Sequence, residues 1–168
     1  MAELERKPLE WMDEAPIQVS SEREISADAG SIWAILADHE TWPQWFGSLS
    51  KVEVTGEATG VGAQRRVFVK GLGAFDEVFL AWEPGAAFGF SVTHMSRPVF
   101  SALNELITLE VLGEDRVRVT YRQALEPKRW AAPLFKIAAK RNMPKALAKG
   151  LDGLAERAEG NFRGDQQG

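Results

Sequence analysis

The stretch RVRVTYRQAL, residues 116–125, places an apolar side chain at nearly every second position. Val117, Val119 and Tyr121 alternate with arginine and threonine. This period of two is typical of a β-strand with one buried face and one solvent-exposed face. Five earlier runs also have strand character, and short turns rich in Gly or Pro separate them. All six together predict an antiparallel meander. They cover residues 52–54, 63–70, 75–82, 86–94, 99–112 and 116–125.

The region before the meander predicts one strand followed by two short helices. Alternation over residues 17–25 predicts a half-buried first strand. Asp28 is a candidate N-cap for a helix that ends near Asp38. Asp38 in turn is positioned to cap a second short helix carrying Trp42 and Trp45.

Residues 130–159 are rich in Ala, Leu and Lys and predict a long C-terminal helix. At about 100° per residue, the two halves of this helix place their apolar residues on different faces, and Pro144 lies between them. Asn142 can cap a new helix, and proline is tolerated in a first turn. The sequence therefore predicts a C-terminal helix that is either kinked or broken at this point.

Length and composition indicate one domain. A chain of 168 residues with 45% apolar residues can bury one substantial core but not two. We expect residues 1–16 to form an N-terminal extension, 17–159 a single α+β domain and 160–168 a flexible tail. The sheet should contain about seven antiparallel strands.

Composition also excludes several classes of function. Acidic residues outnumber basic residues by 24 to 20, which argues against nucleic-acid binding. With no cysteine and two histidines, we expect no metal site and no cofactor. No apolar run approaches the ~18 residues of a membrane span, and residues 1–16 do not resemble a secretion signal, so we expect a cytoplasmic protein. The oligomeric state stays open.

Two polar residues fall on predicted apolar faces. His94 shares its strand phase with Phe88 and Phe90, and Glu105 shares its phase with Leu103. Buried polar groups need partners, so the two could satisfy each other or a nearby hydroxyl. Alternatively, they form the polar end of a cavity, where a carboxyl would have a raised pKa and could act as a general acid or base. His94 and Glu105 are the candidate catalytic residues.

Four segments carry a resemblance to a known family: ISADAGSIWAILAD at 25–38, WPQWF at 42–46, VGAQRRV at 61–67 and AWEPG at 81–85. Over residues 17–159 the chain resembles the helix-grip fold of the SRPBCC superfamily, which includes START-type lipid-transfer domains and bacterial polyketide cyclases. It is most similar to the polyketide cyclase/dehydrase and lipid-transport family. The resemblance implies a curved sheet wrapped on the C-terminal helix, with a cavity between them.

This resemblance implies binding or transport of a small hydrophobic ligand, such as a lipid, sterol, quinone or polyketide, without catalysis. The implied lining residues are Trp42, Trp45, Phe79, Phe88, Phe90, His94, Leu103, Glu105, Ile107, Val119, Tyr121, Phe135, Leu147 and Leu151. An alternative is an enzyme of the polyketide cyclase or aromatase type, in which His94 and Glu105 move protons.

A third possibility comes from a basic block in the C-terminal helix and the residues just before it. No acidic residue occurs between Glu126 and Asp152, and without the seven basic residues there the rest of the chain carries a charge of -4 - 7 = -11. The block could contact an anionic lipid surface or an acidic partner, although a solvated helix face is the simpler explanation of the charges. Its members are Lys128, Arg129, Lys136, Lys140, Arg141, Lys145 and Lys149.

Overall fold

The protein is an antiparallel sheet that curves around one long helix. The computed structural model describes residues 1–167, with side chains for residues 1–160. The strands are β1 Ala2–Glu3, β2 Ile17–Ile25, β3 Leu49–Val54, β4 Gln64–Val69, β5 Gly73–Glu83, β6 Ala87–Met95, β7 Phe100–Gly113 and β8 Arg116–Pro127. The helices are α1 Ala29–Ala37 and α2 Ala132–Gln167, with 3-10 helices at Leu9–Asp13 and His39–Gln44.

The strand order confirms the predicted α+β helix-grip fold. Strands β3 to β8 form the meander, and β2 pairs with β8 at the far edge, which gives the order β2-β8-β7-β6-β5-β4-β3. The short β1 lies off this path and pairs with the end of β6. Of the described residues, none belongs to a helix that is both long and apolar enough to span a bilayer.

Helix α1 begins where the sequence predicted. Asp28 caps it, because its Oδ1 accepts a hydrogen bond from the Ser31 backbone N–H at 2.9 Å and its Oδ2 accepts one from the Ser31 hydroxyl at 2.6 Å. The 3-10 helix that follows also starts after Asp38, but the Asp38 side chain makes no capping hydrogen bond. This segment carries Trp42 and leads directly into Trp45, both of which are buried.

Helix α2 is continuous through Pro144, so of the two predicted alternatives the break at Asn142 is wrong, and the kink stays a prediction. Residues at every fourth position contact the core, and each step of four advances the contact by about 40° around the helix. The buried face therefore winds around α2 because the sheet that it packs against is curved, and no break is needed to bring both halves into contact. The residues along this winding face are Phe135, Ala139, Met143, Leu147 and Leu151.

The first 16 residues cover the outer face of the sheet. Met12 is buried there against Ala15 and Ala124, in a small cluster separate from the main core. The Asn104 side-chain amide donates to the backbone carbonyls of Lys7 and Pro8 at 3.0 and 3.1 Å, which ties the segment to β7. At the other end of the chain, the side chains of residues 161–168 lie outside the described part, so the flexible tail over 160–168 stays a prediction.

Candidate functional site

A cavity lies between the concave face of the sheet and α2. Its volume is about 170 Å³, and apolar side chains form most of its walls. Ser48, Val69, Leu72 and Met143 are only half-buried, and Ala146 is exposed, so the cavity opens to solvent on this side. We call these five residues the mouth.

Half of the predicted lining residues do face this cavity. They come from the second 3-10 helix, from three neighbouring strands and from α2, which the sheet curvature brings around a common space. They are Trp42, Phe90, Leu103, Glu105, Tyr121, Phe135 and Leu147.

Six other predicted lining residues are buried in the core and do not line the cavity. Phe79 and Phe88 pack edge to face with ring centroids 4.6 Å apart, inside an aromatic cluster that fills one end of the space between sheet and helices. Trp45 packs against Trp42 with ring centroids 4.6 Å apart and the ring planes tilted by 48°, and Trp42 separates it from the cavity. The six residues are Trp45, Phe79, Phe88, Ile107, Val119 and Leu151, and all are less than a tenth exposed.

His94 lies on the outer side of the sheet, so the prediction that it faces the cavity is wrong. Its neighbour Val92 pairs with Glu77, whereas His94 pairs with Asp76, so Thr93 is an extra residue that forms a β-bulge. The bulge reverses the alternation beyond Val92, and Met95 takes the inward position instead. His94 lines a polar surface groove and does not meet Glu105.

Glu105 is the polar centre of the cavity wall. It is 8% exposed, and its partners come from the adjacent β8. The Tyr121 hydroxyl donates to Oε2 of Glu105, and the Gln123 side-chain amide donates to Oε1 at 3.1 Å. Burial, reinforced by the negative charge of Glu77, raises the pKa of Glu105 to about 7. The carboxyl can therefore either accept or donate a hydrogen bond near neutral pH.

A buried ion pair forms a second polar element of the wall. Nε of Arg65 lies 2.6 Å from Oε2 of Glu77, directly across the β4–β5 pair, and both side chains are almost fully buried. The Arg65 guanidinium also lies over the Trp42 and Phe90 rings, at 4.2 and 4.8 Å from their centroids. Burial raises the pKa of Glu77, and the charge of Arg65 opposes that rise. This pair supplies the cavity with fixed charges of both signs.

His39 completes the arrangement behind Arg65. Its Nε2 is 2.7 Å from the Ala58 carbonyl oxygen, and its Nδ1 is 3.4 Å from Nη1 of Arg65. Burial and the Arg65 charge lower the pKa of His39 to about 4, so the ring is neutral and Nδ1 accepts from the guanidinium. His39 thus orients Arg65 and is not a cavity residue.

The sequence analysis missed Arg65 and Glu77, although a signal was present. Arg65 shares its strand phase with Val67, and Glu77 shares its phase with Phe75, so both charges fall on apolar faces of neighbouring strands. Opposite charges in such positions indicate a buried cross-strand pair. The other missed lining residues are Phe46, Ser48, Leu49, Val67, Val69, Leu72, Phe75, Phe100, Gln123, Leu125, Met143 and Ala146. Among the residues that the structure describes, no three His, Asp or Glu side chains cluster as metal ligands.

The comparison with protein families agrees with this architecture. A family model for polyketide cyclase/dehydrase and lipid-transport proteins matches residues 16–159. The chain belongs to this family. Membership of this family indicates a domain that binds a hydrophobic ligand.

Relatives of the chain cover most of its length. An uncharacterized protein of Mycobacterium tuberculosis is 29% identical over 166 residues, which cover 97% of each chain. A START superfamily protein from Mycobacterium smegmatis has a TM-score of 0.64 at 19% identity, covering 88% of this chain and 97% of that one. Norcoclaurine synthase from Thalictrum flavum, solved as a point mutant with a transition-state analogue, has a TM-score of 0.66 at 17% identity, covering 86% and 94%. At identities of 17–19%, the similarity of these two solved structures to this chain shows a common fold and nothing more.

Proposed function

We propose that this protein binds a small, neutral, ring-bearing molecule that carries a hydroxyl or carbonyl oxygen. The observation that carries the proposal is the Glu105 carboxyl, held by Tyr121 and Gln123 in an otherwise apolar wall. Apolar walls with a few convergent polar groups are typical of small-molecule sites, in which the polar groups set orientation and specificity.

The size of the cavity favours a compact ligand. Its volume of about 170 Å³ is close to that of an engineered apolar cavity, about 150 Å³, that binds benzene. Sites for larger ligands usually enclose about 300–1,000 Å³. One or two rings therefore fit the cavity as it stands, whereas a sterol or a lipid chain would require the mouth to widen.

The charges in the wall favour a neutral ligand over an anion. The carboxyls of Glu77 and Glu105 face the cavity with Arg65 as the only positive charge among the lining residues. A bound carboxylate would add a further negative charge to a site of low dielectric constant, which is unfavourable. A phenol can donate to ionised Glu105, and a carbonyl can accept from its protonated form.

Calorimetric titration with three naphthalene probes tests this proposal. We expect 2-naphthol to bind more tightly than naphthalene, because it adds a hydrogen bond to Glu105, and 2-naphthoate to bind most weakly. Ala146→Trp, which fills the mouth, should abolish binding or slow it strongly. Asn142→Trp is the matched control, since residue 142 is exposed on the same helix and does not line the cavity. Absence of binding by all three probes, or equal binding by the two variants, would refute the proposal.

Catalysis of the polyketide cyclase or aromatase type is the second candidate function. It is favoured by the pKa of about 7 for Glu105, because a general acid or base works best when its pKa lies near the working pH. Norcoclaurine synthase, which shares the fold, was solved with a transition-state analogue, so the scaffold supports catalysis in that protein. Turnover of a linear poly-β-ketone that falls at least roughly 100-fold in Glu105→Gln would support this role. Unchanged turnover in the variant would exclude it.

A further inference from the structure

An apolar stripe lies exposed where α2 begins. Trp130 in the preceding turn and Leu134 and Ile137 in the first two turns are 71%, 67% and 61% exposed. Their spacing of four and three residues places them along one side of the chain. On the opposite side, Phe135 packs on Phe100 with ring centroids 4.5 Å apart and anchors the helix. The stripe, Trp130, Leu134 and Ile137, therefore adds nothing to the core, and such a cluster of large exposed apolar residues marks an interaction surface.

Basic residues lie close to this stripe. Arg141 continues the line of Leu134 and Ile137 by one further step of four, and Lys136 and Lys140 both lie to one side of it, roughly 90–130° around the helix from its centre. Six of the seven basic residues are exposed, and Lys128 is half-buried. Within residues 1–160, the ion pairs do not include any member of the block. These positive charges are available to an external partner, although the chain as a whole is acidic.

We propose that the stripe and the basic block together dock this protein on an anionic lipid surface. Trp and Leu side chains beside Lys and Arg are the composition of helices that lie in a bilayer interface, with the apolar groups inserted and the cations at the headgroups. A second copy of the chain is a poorer partner, because a two-fold contact through the stripe would oppose the two basic blocks. Charge and apolar character together select anionic lipid.

Docking in this way brings the lipid surface close to the cavity. Met143 and Ala146 of the mouth lie on the same helix, within two to three turns of Ile137. An apolar ligand could then pass between membrane and cavity with little exposure to water. This consequence rests on the proposed function, whereas the docking itself does not.

Co-sedimentation of the full chain with vesicles tests the docking. We expect binding to phosphatidylcholine vesicles that contain phosphatidylglycerol, little binding to phosphatidylcholine alone, and a steep loss of binding as salt is added. The double variant Leu134→Ser/Ile137→Ser should lower the partition coefficient by roughly ten-fold or more. Val111→Ser is the control, because Val111 is 63% exposed on β7, away from α2.

The charges are tested separately. Lys140→Gln/Arg141→Gln should weaken binding to phosphatidylglycerol vesicles and flatten its salt dependence, while the binding of 2-naphthol stays unchanged. Circular dichroism would show that the variants are folded, which is expected since all four positions are exposed. The proposal is overturned if the wild type does not bind these vesicles, or if both double variants bind as the wild type does. Dimers that dissociate in Leu134→Ser/Ile137→Ser would instead identify a second copy as the occupant.

Discussion

The buried carboxyl of Glu105 makes the stability of the fold depend on pH. Its pKa rises from an ordinary value of 4.5 to about 7 on folding, mainly through burial. In this range the folded state binds the proton more tightly than the unfolded state, so stability is lost as the pH rises from about 4.5 to about 7. At about 1.4 kcal/mol per tenfold difference in proton affinity, the full loss is about 3 kcal/mol.

Glu105→Gln should remove this loss. The amide keeps the size of the side chain and one acceptor oxygen, but it does not ionise. We expect the variant to match the wild type in free energy of unfolding near about pH 5 and to exceed it by up to about 3 kcal/mol near about pH 8. Urea unfolding, followed by tryptophan fluorescence and by circular dichroism at several pH values, measures both curves.

Glu110→Gln is the matched control on the same strand. Glu110 is exposed and accepts from Nη1 of Arg118 at 2.9 Å, an interaction worth about 0–1 kcal/mol at a surface. The free energy of unfolding of this variant should depend on pH in the same way as that of the wild type. If Glu105→Gln also runs parallel to the wild type throughout, the Glu105 carboxyl ionises normally in the folded protein and the argument for a perturbed proton site fails.

Three further substitutions test the packing of α2 and the buried ion pair. A Cβ on Gly153 would overlap the Trp45 carbonyl, so Gly153→Ala should destabilise the protein by about 1–3 kcal/mol. Gly160 has open space around it, so Gly160→Ala is the control and should stabilise the protein by roughly 0.5–1 kcal/mol. Equal effects of the two variants in thermal unfolding would contradict the close approach of Gly153 to Trp45. Glu77→Gln should lower the free energy of unfolding in urea by about 3–5 kcal/mol, because the substitution leaves Arg65 buried without its counter-charge. A change below about 1 kcal/mol would show that the ion pair is not desolvated.

Local pattern was sufficient to predict the strands and the first helix. β2 spans Ile17–Ile25 as predicted, and the six runs of the meander correspond in order to β3 to β8. Alternation with a period of two depends only on neighbouring residues, so a single strand displays it in full. Asp28 was likewise predictable as a cap, because an N-cap bond spans three residues.

Helix α2 and His94 show where local pattern was misleading. A straight helix on a flat surface buries a straight stripe, so the change of face near Pro144 was interpreted as a break or a kink. The curved sheet instead follows the winding face, and the helix stays whole. For His94, the single bulge residue Thr93 switches the side chain to the other face of the sheet. An alternating pattern of apolar and polar residues does not reveal such an inserted residue.

The sequence by itself determined which side chains leave water: the alternating faces of the strands, the inward phase of Glu105 and the apolar positions of α2. Only the tertiary structure decided which of those buried residues border empty space, separating Trp42 and Phe90, which line the cavity, from Phe79 and Phe88, which fill the core beside it. Burial follows from the polarity of each residue in its own strand. A cavity is the difference between the space that curved elements enclose and the summed volume of side chains from many distant positions, so no single segment of the sequence can reveal it.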